Sequence, residues 1–189
     1  MKHAQTIEVI RKLKAKRVKF EHGLSDEEVQ QIENKFSIRF PPDLRDFLQK
    51  ELPVSNDFVN WRLSLKSKSE ASDIRKKLDW PFSGIAFDIE HNVFWMEEWG
   101  EKSTDSNENI AIAKRHYETY PKMIPIRSHR YIPSKPHKSG NPVFSIYQTD
   151  IIYYGYNLAQ YLAYEFHFEL SDKFLKIEEP RFIEFWGDI

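Results

Sequence analysis

Met123-Ile-Pro-Ile-Arg-Ser-His-Arg-Tyr131, a loop of Pro, Lys, Ser and Gly, and Asn141-Pro-Val-Phe-Ser-Ile-Tyr-Gln-Thr-Asp-Ile-Ile-Tyr-Tyr-Gly155 form the stretch on which the fold turns. Val143, Ser145 and Tyr147 alternate with Phe144, Ile146 and Gln148, so both faces of this segment are mostly apolar. Such a strand belongs in the middle of a sheet. Met123 to Ile126 predicts a second strand, Asp150 a turn, and Ile151 to Tyr154 a third short strand, with Gly155 permitting the next bend. The sheet needs helices on it, and the flanks supply them.

After the sheet, Asn157 can cap a helix that buries Leu158, Tyr161, Leu162 and Phe166. Before it, Ser106 or Asn107 can start a helix with Ile110, Ala113 and Tyr117 facing inward, and Pro121 stops it. At the N-terminus, Ile7, Ile10 and Leu13 recur among Arg11, Lys12, Lys14, Lys16, Arg17 and Lys19, which predicts a basic amphipathic helix over residues 6–20 with a solvated outer face. Leu24-Ser25-Asp26-Glu27-Glu28-Val29 contains a complete helix start: Ser25 caps, Glu28 reaches back to the Ser25 amide, and Leu24 staples onto Val29. Val29, Ile32 and Phe36 continue that helix. Pro42 opens the next one, which buries Leu44, Phe47 and Leu48 and is expected to end at Pro53.

The middle of the chain is read by alternation. Phe58 to Leu65 places Val59, Trp61, Leu63 and Leu65 on one face and predicts a strand. Residues 66–80 are polar and predict a surface excursion with a short helix at Ser72 to Leu78, ended by Trp80-Pro81. Ile85 to Ile89 predicts another strand, followed by a tight turn at Glu90-His91-Asn92. From Phe87 to Trp99 aromatic residues interleave with acids, and the acids continue through Glu101, Asp105 and Glu108 against Lys102 alone. In the tail after Lys173, Phe182, Phe185 and Trp186 are expected to return to the core.

Composition excludes several classes. The 189 residues carry 28 Lys plus Arg against 29 Asp plus Glu, so no global field marks nucleic acid or membrane as a partner. Without cysteine there is no disulfide or thiolate chemistry. No apolar run reaches the ~20 residues of a membrane helix, and the first ten residues lack the pattern of a signal peptide. These features predict a single cytoplasmic domain without a cofactor.

A resemblance joins these blocks. Gly23-Leu-Ser-Asp-Glu-Glu-Val-Gln-Gln-Ile-Glu33, then Ile38-Arg-Phe-Pro-Pro-Asp-Leu-Arg-Asp-Phe-Leu48, resembles the opening of the SUKH superfamily of fungal cell-wall-synthesis regulators and their bacterial relatives. Phe40 stands where that family usually has Leu. Phe87-Asp-Ile-Glu-His-Asn-Val-Phe-Trp95, Pro121 to Pro133 and Asn141 to Gly155 look like its bacterial branch, so the likeness runs over roughly residues 23–166. It implies an α+β fold and a bacterial immunity protein that binds and neutralises a toxin of a polymorphic or contact-dependent system, often a basic nuclease.

Two chemistries compete with that expectation. Asp88, Glu90, His91 and His129 contain the residue types of a hydrolase or metal site. Yet no His-Glu-x-x-His, Gly-x-Ser-x-Gly, phosphate loop or dinucleotide fingerprint accompanies them. Asp88 and His91 suit backbone contacts in the tight Glu90-His91-Asn92 turn better than catalysis. Arg127, His129, Arg130, Lys135, His137 and Lys138 offer phosphate contacts with Tyr131 for stacking, against a balanced net charge and no groove-entering motif. Tyr147, Tyr153, Tyr154 and Tyr156 divide between core packing and contact anchors.

The resulting expectation is a single α+β domain over residues 1–189. Its mostly antiparallel sheet of about four to six strands includes Phe58–Leu65, Ile85–Ile89, Met123–Ile126 and Val143–Tyr154, packed by helices from both ends of the chain. Function is expected to be non-enzymatic, without metal or cofactor. A protein partner, a cognate toxin, is expected at Asp88, Glu90, Trp95, Glu97, Glu98, Trp99 and Glu101, together with His129, Arg130 and Tyr131. The alternatives are a regulatory scaffold in cell-wall or signalling pathways, and a hydrolase using Asp88, His91 and His129.

Overall fold

A computed structural model describes residues 3–171 and 179–189. Its centre is a four-stranded antiparallel sheet, β3 (Met123–Arg127), β4 (Arg130–Pro133), β5 (Val143–Tyr147) and β6 (Asp150–Gly155), in that spatial order. Register is fixed by Ile124 opposite Ile132, Tyr131 opposite Phe144 and Ile146 opposite Ile151. The β3–β4 and β5–β6 hairpins each close on two residues, and the first of each, Ser128 (φ 45°) and Gln148 (φ 56°), lies in the left-handed region usually given to glycine. With no glycine to mark its turn, β4 was hidden inside the expected basic loop.

Both sheet faces are covered, which explains strands apolar on both sides in an antiparallel sheet. On one face Ile124, Ile126, Ile132 and Val143 join a core with α1 (His3–Ala15), α2 (Asp26–Phe36), α3 (Pro42–Lys50), α7 (Leu158–Glu165) and the start of α5 (Lys68–His91). On the other, Met123, Tyr131, Phe144, Ile146 and Ile151 meet the end of α5, α6 (Ser106–Tyr117) and the C-terminal Ile183, Phe185 and Trp186. Phe182 stays 59% exposed, and the tail between 172 and 178 lies outside the described residues. The architecture is α+β, as expected, with β5 interior to the sheet.

The predicted helix starts hold in chemistry and shift in detail. Ser25 Oγ accepts from the Glu28 amide while Glu28 accepts from the Ser25 amide, and Leu24 and Val29 are both buried. Asn157 caps α7 through the Gln160 amide, whereas α6 is capped by Asp105 rather than Ser106 or Asn107. In α1 the buried apolar residues are Val9, Ile10 and Leu13, Ile7 is 46% exposed, and the helix stops at Ala15. Phe20–His22 instead forms β1, paired with β2 (Glu51–Pro53). Gly155 has no positive φ; its lack of a side chain matters because a Cβ there would lie 2.6 Å from Tyr161 Cα.

The largest departures fall between residues 58 and 91. Phe58 to Leu65 is not a strand: Phe58 makes one bridge to Arg127, the Val59 amide donates to Ile126 O, and the chain then enters the short helix α4 (Leu63–Lys66). The buried Phe58, Val59 and Trp61 cover the outer edge of β3 instead of extending it. The expected excursion and the expected 85–89 strand are one 24-residue helix, α5. Ala71, Ile74, Leu78, Pro81, Ile85 and Asp88 follow alternating spacings of three and four along one inward face, a helical period that the apparent alternation at 85–89 concealed.

Pro81 does not end the helix because its defect is repaired. Proline has no amide to offer the carbonyl four residues back, here Lys77 O. The Tyr131 hydroxyl donates to that carbonyl at 2.9 Å. One turn later Gly84 brings α5 against the β5–β6 turn, where a Cβ would lie 2.6 Å from Gln148 Cα.

Two polar centres complete the frame. Arg62, 5% exposed, donates to Glu28, Glu21 and the carbonyls of His22 and Gly23, fastening the segment after β2 to the start of α2. Asn141, fully buried, donates to Pro133 O and Pro136 O and accepts from Arg181, while the Gly140 amide donates to Asp43. The basic loop is thereby tied down, with Lys135, His137 and Lys138 exposed on it.

Candidate partner-binding surface

Asp88 lies at the end of α5 and is 3% exposed. Its carboxylate accepts from the Thr149 amide and hydroxyl at 2.8 and 2.6 Å and from Asn92 at 2.6 Å. Burial alone would raise its pKa, but these donors outweigh it and leave the group below the ordinary range. Asp88 thus holds the β5–β6 turn against α5. Its backbone-satisfying role is the one the sequence allowed, but the amide it satisfies is that of Thr149, while the 90–92 stretch, which is the helix end itself, reaches it through the Asn92 side chain.

Beyond the helix the chain reverses through Val93, a β-branched residue at φ 61° and 79% exposed. That conformation is costly for such a side chain and holds only where its surroundings impose it. The next residues form an aromatic platform. Trp99, 5% exposed, receives the edges of Phe94 and Trp95 at 5.8 and 5.3 Å and stacks with His116 and Phe185. Its indole donates to the Tyr120 hydroxyl, which donates to Glu98. Burial, then the bond to Glu98, pushes the Tyr120 pKa up to about 12. Trp95 donates to Gly100 O, closing the helical turn Glu97–Trp99.

Glu90, Glu97, Glu98, Glu101, Asp105 and Glu108 are exposed on or beside this platform. Glu90 meets His91 at 3.5 Å, an ion pair only when the imidazole is protonated. Among the described residues no lysine or arginine pairs with any of the six. The surface is a rigid acidic edge with Val93 and the half-buried Trp95 upon it. Asp88 and Trp99, expected at the contact, serve instead as its foundation, because burial removes them from any partner's reach.

His129, Arg130 and Tyr131, expected at the same contact, are dispersed. Arg130 has an 11% exposed side chain, lies 3.7 Å from the Tyr154 ring, donates to Ser145 and approaches Glu165 at 3.5 Å. Arg127 also pairs with Glu165, so the two arginines fasten α7 to the sheet. Tyr131 is 1% exposed. Only His129 remains half-exposed, in a cleft with Lys76, Lys77, Trp80, Ser128 and Tyr147. Burial and then the neighbouring Arg130 lower its pKa.

The hydrolase set is not assembled. Trp80 lines the cleft of His129, and Asp88 lies eight residues further along α5, about 12 Å at the helical rise. Among the described residues no three His, Asp or Glu side chains group as metal ligands, and no helix is long and apolar enough to cross a membrane. Sequence reading missed Trp80, counted as the end of a surface excursion, and left Tyr147 divided between core and contact; both are exposed and in ring contact. Compared with models of known protein families, with characterised proteins and with solved structures, the chain matches none.

Proposed function

We propose that this chain is a non-enzymatic protein-binding module, an immunity protein of SUKH type that binds and neutralises a bacterial toxin. The observation that carries the reading is the acidic edge: exposed carboxylates without a lysine or arginine partner among the described residues, on an aromatic platform beside exposed Val93. Such a surface complements a basic protein, accelerates its capture at low salt and supplies an apolar contact at the centre. The resemblance over residues 23–166 supplies the class of partner.

The test is co-expression with the product of the neighbouring gene. The two proteins are expected to co-purify, and the chain is expected to rescue growth of cells carrying that product. Glu97→Lys with Glu101→Lys should slow association about tenfold or more at low salt. Absence of both binding and protection overturns the reading, whereas binding without protection favours a regulatory scaffold.

A further inference from the structure

The cleft beside His129 lies outside the acidic edge and has a different chemistry. Its volume is about 290 Å³, at the small end of ligand sites, and it is lined by Lys76, Lys77, Trp80, Ser128, His129, Tyr131 and Tyr147. Among the described residues no carboxylate lines it. Trp80 and Tyr147 are 45% and 58% exposed, with ring centroids 6.4 Å apart and planes tilted by 58°, so they form two adjoining walls at an angle along an open aromatic slot. The floor is set by Tyr131, whose hydroxyl is committed to Lys77 O. The hairpin turn adds polar atoms: Ser128 Oγ lies 3.1 Å from His129 Nδ1.

The cations are available. Among the described residues Lys77 has no carboxylate partner and Lys76 pairs with Asp73 alone, an exposed contact three residues away on the same helix that is weak enough to exchange. We propose that this slot binds a small planar aromatic ring bearing one anionic group, the ring against Trp80 and Tyr147 and the anion at Lys77 and the Ser128–His129 turn. Ring and charge act together there: the aromatic faces supply stacking that tolerates different rings, and the lysine supplies the charge-assisted contact that selects an anion. Burial and the neighbouring Arg130 lower the His129 pKa and so favour the neutral imidazole, a hydrogen-bonding group, over a second fixed charge.

Adenosine monophosphate and indole-3-acetate serve as probes, one for phosphate and one for carboxylate, followed by amide shifts of the 15N-labelled chain. At least one is expected to bind with a dissociation constant below about 1 mM, shifting Ser128, His129 and the Lys76–Trp80 turn. Adenosine and inorganic phosphate alone should bind at least about tenfold more weakly than the intact nucleotide if phosphate is the preferred anion, and indole likewise against its acetate. Trp80→Ala and Lys77→Ala, both at positions where the side chain is not core, should each weaken binding about tenfold; Tyr147→Ala checks the second wall. The proposal falls if neither probe saturates by about 10 mM, if the shifts map elsewhere, or if Trp80→Ala binds as the natural chain does.

Discussion

Arg62 and the 90–108 edge treat carboxylates in opposite ways. At Arg62, Glu28 and Glu21 converge on a guanidinium that is almost fully enclosed and also satisfies two backbone carbonyls. At the edge, Glu97 and Glu101 project from a rigid turn toward no cation of their own chain among the described residues. The first arrangement holds structure together, and its carboxylates are spent on the fold. The second leaves charge uncompensated, a state that self-repulsion makes slightly unfavourable and that a basic partner relieves.

The sharpest way to break this contrast is Arg62→Ala. Two carboxylates and two carbonyls lose their shared donor in a buried setting, so unfolding in urea should show a loss of about 3–5 kcal/mol. Next comes acid. Glu28 is held at about 2 instead of its ordinary 4.5, chiefly by the hydrogen-bonded Arg62, with burial opposing. A carboxylate with a lowered folded-state pKa contributes above its unfolded value and loses that contribution as pH falls. About 3 kcal/mol should therefore disappear progressively between about pH 5 and pH 2, and Glu28→Gln should remove that component from the stability curve.

Asp88→Asn is expected to cost about 1–3 kcal/mol, since a neutral amide replaces the acceptor of three donors while α5 keeps its length. Thermal unfolding with intact helical circular dichroism would check it. Last, Glu97→Lys with Glu101→Lys should change stability by no more than about 0.5 kcal/mol. Its effect belongs to association, and a large loss of stability would erase the distinction between the two regions.

The legible part of the chain was local chemistry with few competing solutions. Ser25 and Glu28 form a reciprocal cap whose residues suit little else, and Val143 to Tyr147 could only be interior once both faces were apolar. The illegible part depended on contacts made at a distance. A proline inside a helical pattern ordinarily ends it, and only Tyr131, 54 residues away from Lys77, shows why this one does not. Likewise the acidic stretch was visible as composition, but whether Trp99 faced outward depended on Phe185 arriving from the far end of the chain. Trp80 and Tyr147 became a pair only when the β5–β6 turn met α5.

That repaired proline also bears on cooperativity. Upstream of Pro81, α5 contributes Ala71 and Ile74 to one core; downstream it contributes Ile85 and Ile89 to the other. The two cores lie on either side of one sheet and are also joined through a helix whose backbone ladder has one rung supplied by a side chain. Partial opening at that rung would sort residues before and after Pro81 into two protection classes in amide exchange. Tyr131→Phe should widen the gap between those classes, turning one unfolding unit toward two.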